Sequence, residues 1–83
     1  MDHEEAKKRI RSFIAAELLE GNDAGLDENT PLLELGVIDS MGIVQVTTFL
    51  EKELGTKLPP EELTAQNFSN LAALADLVVR LRG

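Results

Sequence analysis

Gly36-Val37-Ile38-Asp39-Ser40-Met41 is the stretch on which the reading of the chain turns. A glycine ends a short apolar turn, an acid and a hydroxyl follow, and an amphipathic pattern begins at once. Ile43, Val46, Leu50 and Leu54 recur at the three- and four-residue spacing of one helix face, with Phe49 at its margin. The spacing predicts a helix from 39 or 40 to 54, with Gly55 as its stop. Ser40 then stands exposed at the first turn of a rigid element, with no catalytic neighbours of its own. That placement suits a hydroxyl modified by another enzyme better than a nucleophile, which needs a base within reach. The plainer alternative is capping, since Ser and Asp both start helices well.

The same helix has a second face made of Met41, Val44, Gln45, Thr48 and Lys52. It is semi-apolar where a solvated helix normally carries charge. Two readings stay open: an exposed docking surface, or a wide core stripe completed by Met41 and Val44.

Both flanks also read as helical. Upstream, Ala6, Ile10, Phe13, Ile14 and Leu18 follow the 3.6-residue period with Glu17 as the polar exception, giving a helix over 2–19. Asp2, Glu4 and Glu5 lie in its first turn, where the helix dipole favours anions, and Gly21-Asn22 ends it. A long connection follows. In it Thr30-Pro31 opens a short helical turn over 31–35, Leu32, Leu33 and Leu35 anchor that turn to the core, and Gly36 closes it. Downstream, Leu58-Pro59-Pro60 breaks the chain and Pro60-Glu61-Glu62-Leu63 fits a short helix. Ser69 fits as the N-cap of a last helix over 70–81, with Leu71, Leu74, Ala75, Val78 and Leu81 on its apolar face. There is no strand pattern, repeat or linker. The expected fold class is all-α: a small four-helix bundle of three longer helices and one short one, with a long first loop, in a single domain over 1–83.

Composition narrows the function. A chain of 83 residues buries only about 60–65% of its unfolded surface, which leaves little room for a deep catalytic cleft. Cysteine is absent, so disulfides and thiolate metal sites are excluded. No apolar run nears the roughly 20 residues that span a bilayer. The start, Met1-Asp2-His3-Glu4-Glu5, lacks a signal-peptide h-region, so a cytoplasmic protein without membrane insertion is expected. The net charge is −7, and from Ser12 to Glu51 there is no Lys or Arg, while Glu17, Glu20, Asp23, Asp27, Glu28, Glu34, Asp39 and Glu51 fall in that stretch. Ser40 therefore lies in a negative field that repels nucleic acid and draws basic partners.

Catalytic constellations are missing. His3 is the one histidine and reads as a surface residue. Asp23 to Glu34 has the length of a calcium loop, but Gly25 stands where an oxygen ligand is needed and Glu28 where the turn needs glycine. No catalytic residue, metal site or phosphate-cradling loop is expected.

Leu32-Leu33-Glu34-Leu35-Gly36-Val37-Ile38-Asp39-Ser40-Met41 resembles the cofactor-attachment signature of the acyl carrier and peptidyl carrier protein family. The resemblance extends along most of the chain: an opening amphipathic helix, a long leucine-anchored loop, the helix ending Phe49-Leu50-Glu51-Lys52-Glu53-Leu54-Gly55, the Leu58-Pro59 break, and a last apolar helix. It implies the family's four-helix bundle and a carrier, not an enzyme. It implies that Ser40 carries 4′-phosphopantetheine, transferred from coenzyme A by a separate phosphopantetheinyl transferase with magnesium. The thiol of that arm would hold an acyl or aminoacyl group as a thioester. By the same resemblance Asp39 helps dock the transferase, Met41, Val44, Gln45 and Thr48 form a partner face, and Glu51 with Glu53 meets basic partner residues.

The implied partners are an acyl- or aminoacyl-activating ligase or adenylation enzyme and downstream synthase or tailoring enzymes, with the carrier itself a monomer. Asp-Ser-Met-Gly, and a recognition helix poor in acids, look like free-standing carriers of specialised metabolism. A D-alanyl-type or fatty-acid acyl carrier is the alternative within the family, and an unmodified acidic helical interaction module the alternative outside it.

Overall fold

A computed structural model describes residues 2–19, 21 and 26–82 of the chain. Three α-helices organise it: α1 (His3–Leu18), α2 (Ser40–Glu53) and α3 (Leu71–Arg82). Among the described residues there is no strand.

The expected fourth helix is only a 3₁₀ turn, Pro60–Glu62. Pro59 and Pro60 contribute no N–H groups. The Leu63 N–H still returns to the Pro60 carbonyl (3.1 Å), but the Glu62 carbonyl is taken by the Asn67 side-chain amide (2.7 Å). The ladder therefore has nothing to build on. The bundle is three helices and a turn.

Side-chain caps set the helix starts. The Asp2 carboxylate accepts from the Glu5 N–H (2.8 Å), so α1 begins at His3 with Glu4 and Glu5 in its first turn. At its far end Gly21, at φ +86°, donates to the Ala15 carbonyl (2.6 Å), as its expected role as a stop requires. Asn22, the other half of that expectation, lies outside the described residues. Before α3 the cap is Asn70, whose Oδ1 accepts from the Ala73 N–H (2.8 Å), and not Ser69, whose hydroxyl donates to the Gln66 carbonyl (2.8 Å).

The core is one apolar cluster of Ala6, Ile10 and Ile14 from α1, Val46 and Leu50 from α2, and Leu71, Leu74, Ala75, Leu77 and Val78 from α3. Phe68 is sealed among them, and Leu32, Ile38, Leu54 and Leu58 close it from the connections. Phe13 stacks on Phe49 at a centroid distance of 4.4 Å, joining α1 to α2 at the edge of the core. Val46, Leu50 and Leu54 of the expected α2 stripe are buried, and its first member differs. Gly42, Val46 and Leu50 are its buried line, and Ile43 is only partly covered.

The described part of the first connection is tied down. Leu32 N–H donates to the Ser69 carbonyl (2.8 Å), Ala72 N–H to that of Glu28 (3.1 Å), and Ile38 N–H to that of Leu32 (3.2 Å). Lys7 bridges Glu28 (2.6 Å) and Glu4 (2.9 Å). The expected turn over 31–35 is closed by the Leu35 N–H on the Pro31 carbonyl (3.0 Å), with Gly36 at φ +76°. Its leucines differ from expectation: Leu32 is buried, Leu33 partly so, and Leu35 is 65% exposed. The turn rotates Leu35 away from the core that holds Leu32.

Candidate functional site

Ile38 is buried beneath the start of α2 and fixes where the helix begins. Asp39 follows in extended backbone (φ −109°, ψ −167°), and its Oδ1 accepts from the Gly42 N–H at 2.8 Å. Its carbonyl accepts from the Ile43 N–H, also at 2.8 Å. Asp39 is therefore the N-cap and Ser40 the first helical residue, which removes capping as the reason for a serine at position 40. The Ser40 side chain is exposed, and no described residue hydrogen-bonds its hydroxyl. The N–H groups of Ser40 and Met41 stand where a helix leaves its donors unsatisfied, and they favour an anion at this end.

Gly42 explains how the start is so compact. A Cβ there would lie 3.3 Å from Ile38 Cγ2 and 3.4 Å from Asp39 Oδ1. Glycine lets the buried Ile38 and the capping carboxylate sit against the helix together. The result is an exposed hydroxyl on a rigid, capped terminus, a good acceptor for a phosphate-linked group.

The residues expected on the partner face are all on the outside. Met41 is 68% and Val44 60% exposed, and Gln45, Thr48, Glu51 and Lys52 are exposed with them. The reading in which Met41 and Val44 widen the core stripe is thereby overturned. Leu35, five residues before Ser40, adds a third large uncovered apolar side chain. Sequence reasoning placed it with the anchoring leucines. Its flanks, Glu34 and Gly36, were the available signal that it faces outward.

Other chemistry is not assembled. His3 Nε2 lies 2.7 Å from Asp76 Oδ1, so the imidazole links the first turn of α1 to α3. Among the described residues no three His, Cys, Asp or Glu side chains converge as metal ligands. The Asp23 end of the calcium-loop spacing lies outside the described residues. An open groove of about 520 Å³ between α1 and α2 is floored by Phe13, Ala16, Phe49 and Leu54. Phe49 is nine residues beyond Ser40, about half a turn round the helix axis, so this groove is on the far side from the hydroxyl.

The phosphopantetheine attachment site family matches residues 8–78. The chain belongs to that family. The carrier is 33% identical over 76 residues to the probable acyl carrier protein PigG of Serratia sp. (strain ATCC 39006), covering 92% of this chain and 87% of that one. It is 28% identical over 82 residues to D-alanyl carrier protein 1 of Lactiplantibacillus plantarum (strain ATCC BAA-793 / NCIMB 8826 / WCFS1), covering 99% and 100%. Among solved structures, one described as the crystal structure of an FAD-dependent dehydrogenase contains a chain 43% identical to it, with a TM-score of 0.77 over 83% of this chain and 97% of that chain. The family's domain is where 4′-phosphopantetheine is attached, and its members are carriers and not enzymes. Such carriers meet phosphopantetheinyl transferases and acyl-loading or synthase enzymes. The fit of the site to that group rests on the exposed Ser40 hydroxyl, freed from capping by Asp39, at a helix N-terminus that favours phosphate.

Proposed function

We propose that this chain is a free-standing carrier that holds an acyl or aminoacyl intermediate on 4′-phosphopantetheine attached to Ser40. The observation that carries the reading is the division of roles at the start of α2: Asp39 caps, and the exposed Ser40 hydroxyl is left without a structural task. In the attachment reaction Ser40 Oγ gives its proton to the transferase's base and bonds to the pantetheine-bearing phosphorus of coenzyme A. Adenosine 3′,5′-bisphosphate leaves. When bound, the group supplies the thiol that holds the cargo as a thioester. The N-terminus of α2 favours the phosphodiester charge.

Met41, Val44, Gln45 and Thr48 on α2, together with the exposed Leu35 of the preceding turn, give partners apolar and polar surface to land on. Asp39, through the carboxylate oxygen not engaged by Gly42, and Glu51 offer charge to basic partner residues. The carrier acts as a monomer in the cytoplasm, as one domain, after loading by an activating ligase or adenylation enzyme. Tethering keeps the cargo at high effective concentration for successive enzymes.

Specialised metabolism is the setting to which Asp39-Ser40-Met41-Gly42 and the acid-poor exposed face of α2 point, and the similarity to the probable acyl carrier protein PigG supports an acyl cargo. The chain of the dehydrogenase structure, at 43% identity, supports a flavin-dependent dehydrogenase among the tailoring enzymes. A thioester suits that chemistry because it acidifies the adjacent C–H. Loss of the Cα proton to a base and of a hydride from Cβ to the flavin leaves a conjugated double bond and a reduced flavin. A second reading, D-alanyl loading, is supported by the end-to-end match to D-alanyl carrier protein 1.

The test is intact mass after incubation with coenzyme A, magnesium and a promiscuous phosphopantetheinyl transferase, with Ser40→Ala alongside. One added phosphopantetheine, absent in the variant, is the expected result. No added mass on folded protein with two different transferases would replace the carrier reading with that of an unmodified interaction module.

A further inference from the structure

Among the described residues, one buried side-chain oxygen has no use in the fold. Thr47 Oγ1 is buried and has no hydrogen-bond partner. A threonine hydroxyl on a helix ordinarily turns back to the carbonyl four residues earlier, yet that of Ile43 does not take it. An unmet buried hydroxyl destabilises its site, and valine would fill the same shape without that penalty. A threonine here asks for a partner that arrives from outside the fold.

Its position says which. Thr47 is seven residues after Ser40, so it lies about 20° short of two full turns, and about 10.5 Å further along the axis. Ser40 and Thr47 therefore share one line down α2. The partly covered Ile43 lies close to that line, between the buried face and the exposed one. The Phe13–Phe49 contact with α1 is about half a turn away, so the line follows the opposite margin of the helix. A phosphopantetheine arm is comparable in length to about five extended residues, roughly 16–18 Å. That length is enough for a group tethered to Ser40 to fold back along the helix margin, past Ile43, to the half-buried Thr47.

The geometry points to Thr47 as a hydrogen-bonding seat for the group carried on Ser40, its hydroxyl donating to the carbonyl of a short acyl or aminoacyl thioester. This rests on Ser40 being the attachment residue. It also sets a cargo preference. A short group bearing a carbonyl or amide satisfies the hydroxyl, whereas a long alkyl chain laid over it leaves the hydrogen bond unmade.

The experiment compares wild type, Thr47→Val and Thr47→Ser, each carrying on Ser40 a free-thiol arm, a hydrolysis-stable alanyl arm or a hydrolysis-stable octanoyl arm. Intact mass confirms each loading, so a failure of attachment is seen there and counts against the carrier reading itself. Thermal melting and NMR shifts of the loaded forms are then read. The free-thiol Thr47→Val protein is expected to melt about 4–8 °C above wild type. Alanyl loading should raise the melting temperature of wild type and Thr47→Ser but not of Thr47→Val, and should shift the Ile43 and Thr47 signals. Octanoyl loading should stabilise Thr47→Val more than wild type. Equal alanyl effects in wild type and Thr47→Val, with shifts confined to residues 39–42, would overturn the proposal.

Discussion

At the start of α2 two adjacent residues divide two tasks that either could have performed. Asp39 satisfies the Gly42 N–H, and Ser40, one position later, keeps its hydroxyl in solvent. This arrangement makes the structural and chemical roles separable by mutation. Ser40→Ala should abolish phosphopantetheine addition and shift the melting temperature by no more than a degree or so. Asp39→Ala should lose an N-cap, about 1 kcal/mol or about 4–8 °C in a domain this size, and still be modified. Intact mass and circular dichroism on the two variants decide it. A large drop in stability for Ser40→Ala with none for Asp39→Ala would mean that the serine is the cap. Gly42 belongs to the same design. A glycine inside a helix costs up to about 1 kcal/mol relative to alanine, but a Cβ here would press on Ile38 Cγ2 at 3.3 Å and touch the Asp39 carboxylate at 3.4 Å.

At the scale of elements, the turn before α3 is held by one acid. Arg80 Nη1 lies 3.2 Å from Glu62 Oε2, and the Asn67 amide donates to both the Glu62 carbonyl (2.7 Å) and Oε1 (3.1 Å). The hydrogen bond from Arg80, then its charge and the bond from Asn67, outweigh burial and hold the Glu62 carboxyl below its ordinary value of 4.5. A carboxyl depressed in the folded state stabilises at pH above its ordinary value, and that contribution disappears as pH falls through the folded value. The melting-temperature gap between wild type and Glu62→Gln should therefore be largest near neutrality and close as acid takes the pH below the ordinary carboxyl value and through the lower folded one. A gap unchanged by acid would remove Glu62 from the clip. Lys7 has the opposite sign: hydrogen bonds to Glu28 and Glu4 raise its ammonium above 10.5, so its contribution holds below that value and fades only in strong base.

The three long helices were legible because their apolar residues keep the helical period. Their starts were legible to within one residue, but the capping residues of α2 and α3 were not, because a cap is chosen by one side-chain hydrogen bond. Asp39 beside Ser40 and Asn70 beside Ser69 are equally good caps on paper. The fourth helix was misread because Pro60-Glu61-Glu62 carries a helix-start pattern, while its ladder is ended by Asn67, five residues on. Leu35 carries the same side chain as Leu32, and only the rotation of the turn separates the exposed one from the buried one. Ser40 was legible because the residues around it form a local motif, whereas the unmet hydroxyl of Thr47 appears only once its surroundings are built.

For the molecule as a whole, charge and apolar surface act at different ranges. Much of the basic charge is paired locally: Lys7 with Glu4 and Glu28, Arg9 with Glu5, Arg80 with Glu62. Among the described residues Glu34, Asp39 and Glu51 form no ion pair, so the side of the molecule around Ser40 keeps its negative field. That field acts over about 10 Å at 0.1 M salt and speeds encounter with a basic enzyme surface. Met41 and Val44 act only on contact, where covering them slows dissociation. The two effects separate in the kinetics of phosphopantetheine transfer. The wild-type kcat/KM should fall as salt rises, and Glu34→Gln with Glu51→Gln should flatten that dependence. Met41→Ala with Val44→Ala should raise KM and leave the salt slope as it was. If the charge variants instead raised KM with an unaltered slope, and the apolar variants had no effect, docking would lie elsewhere than the face that surrounds Ser40.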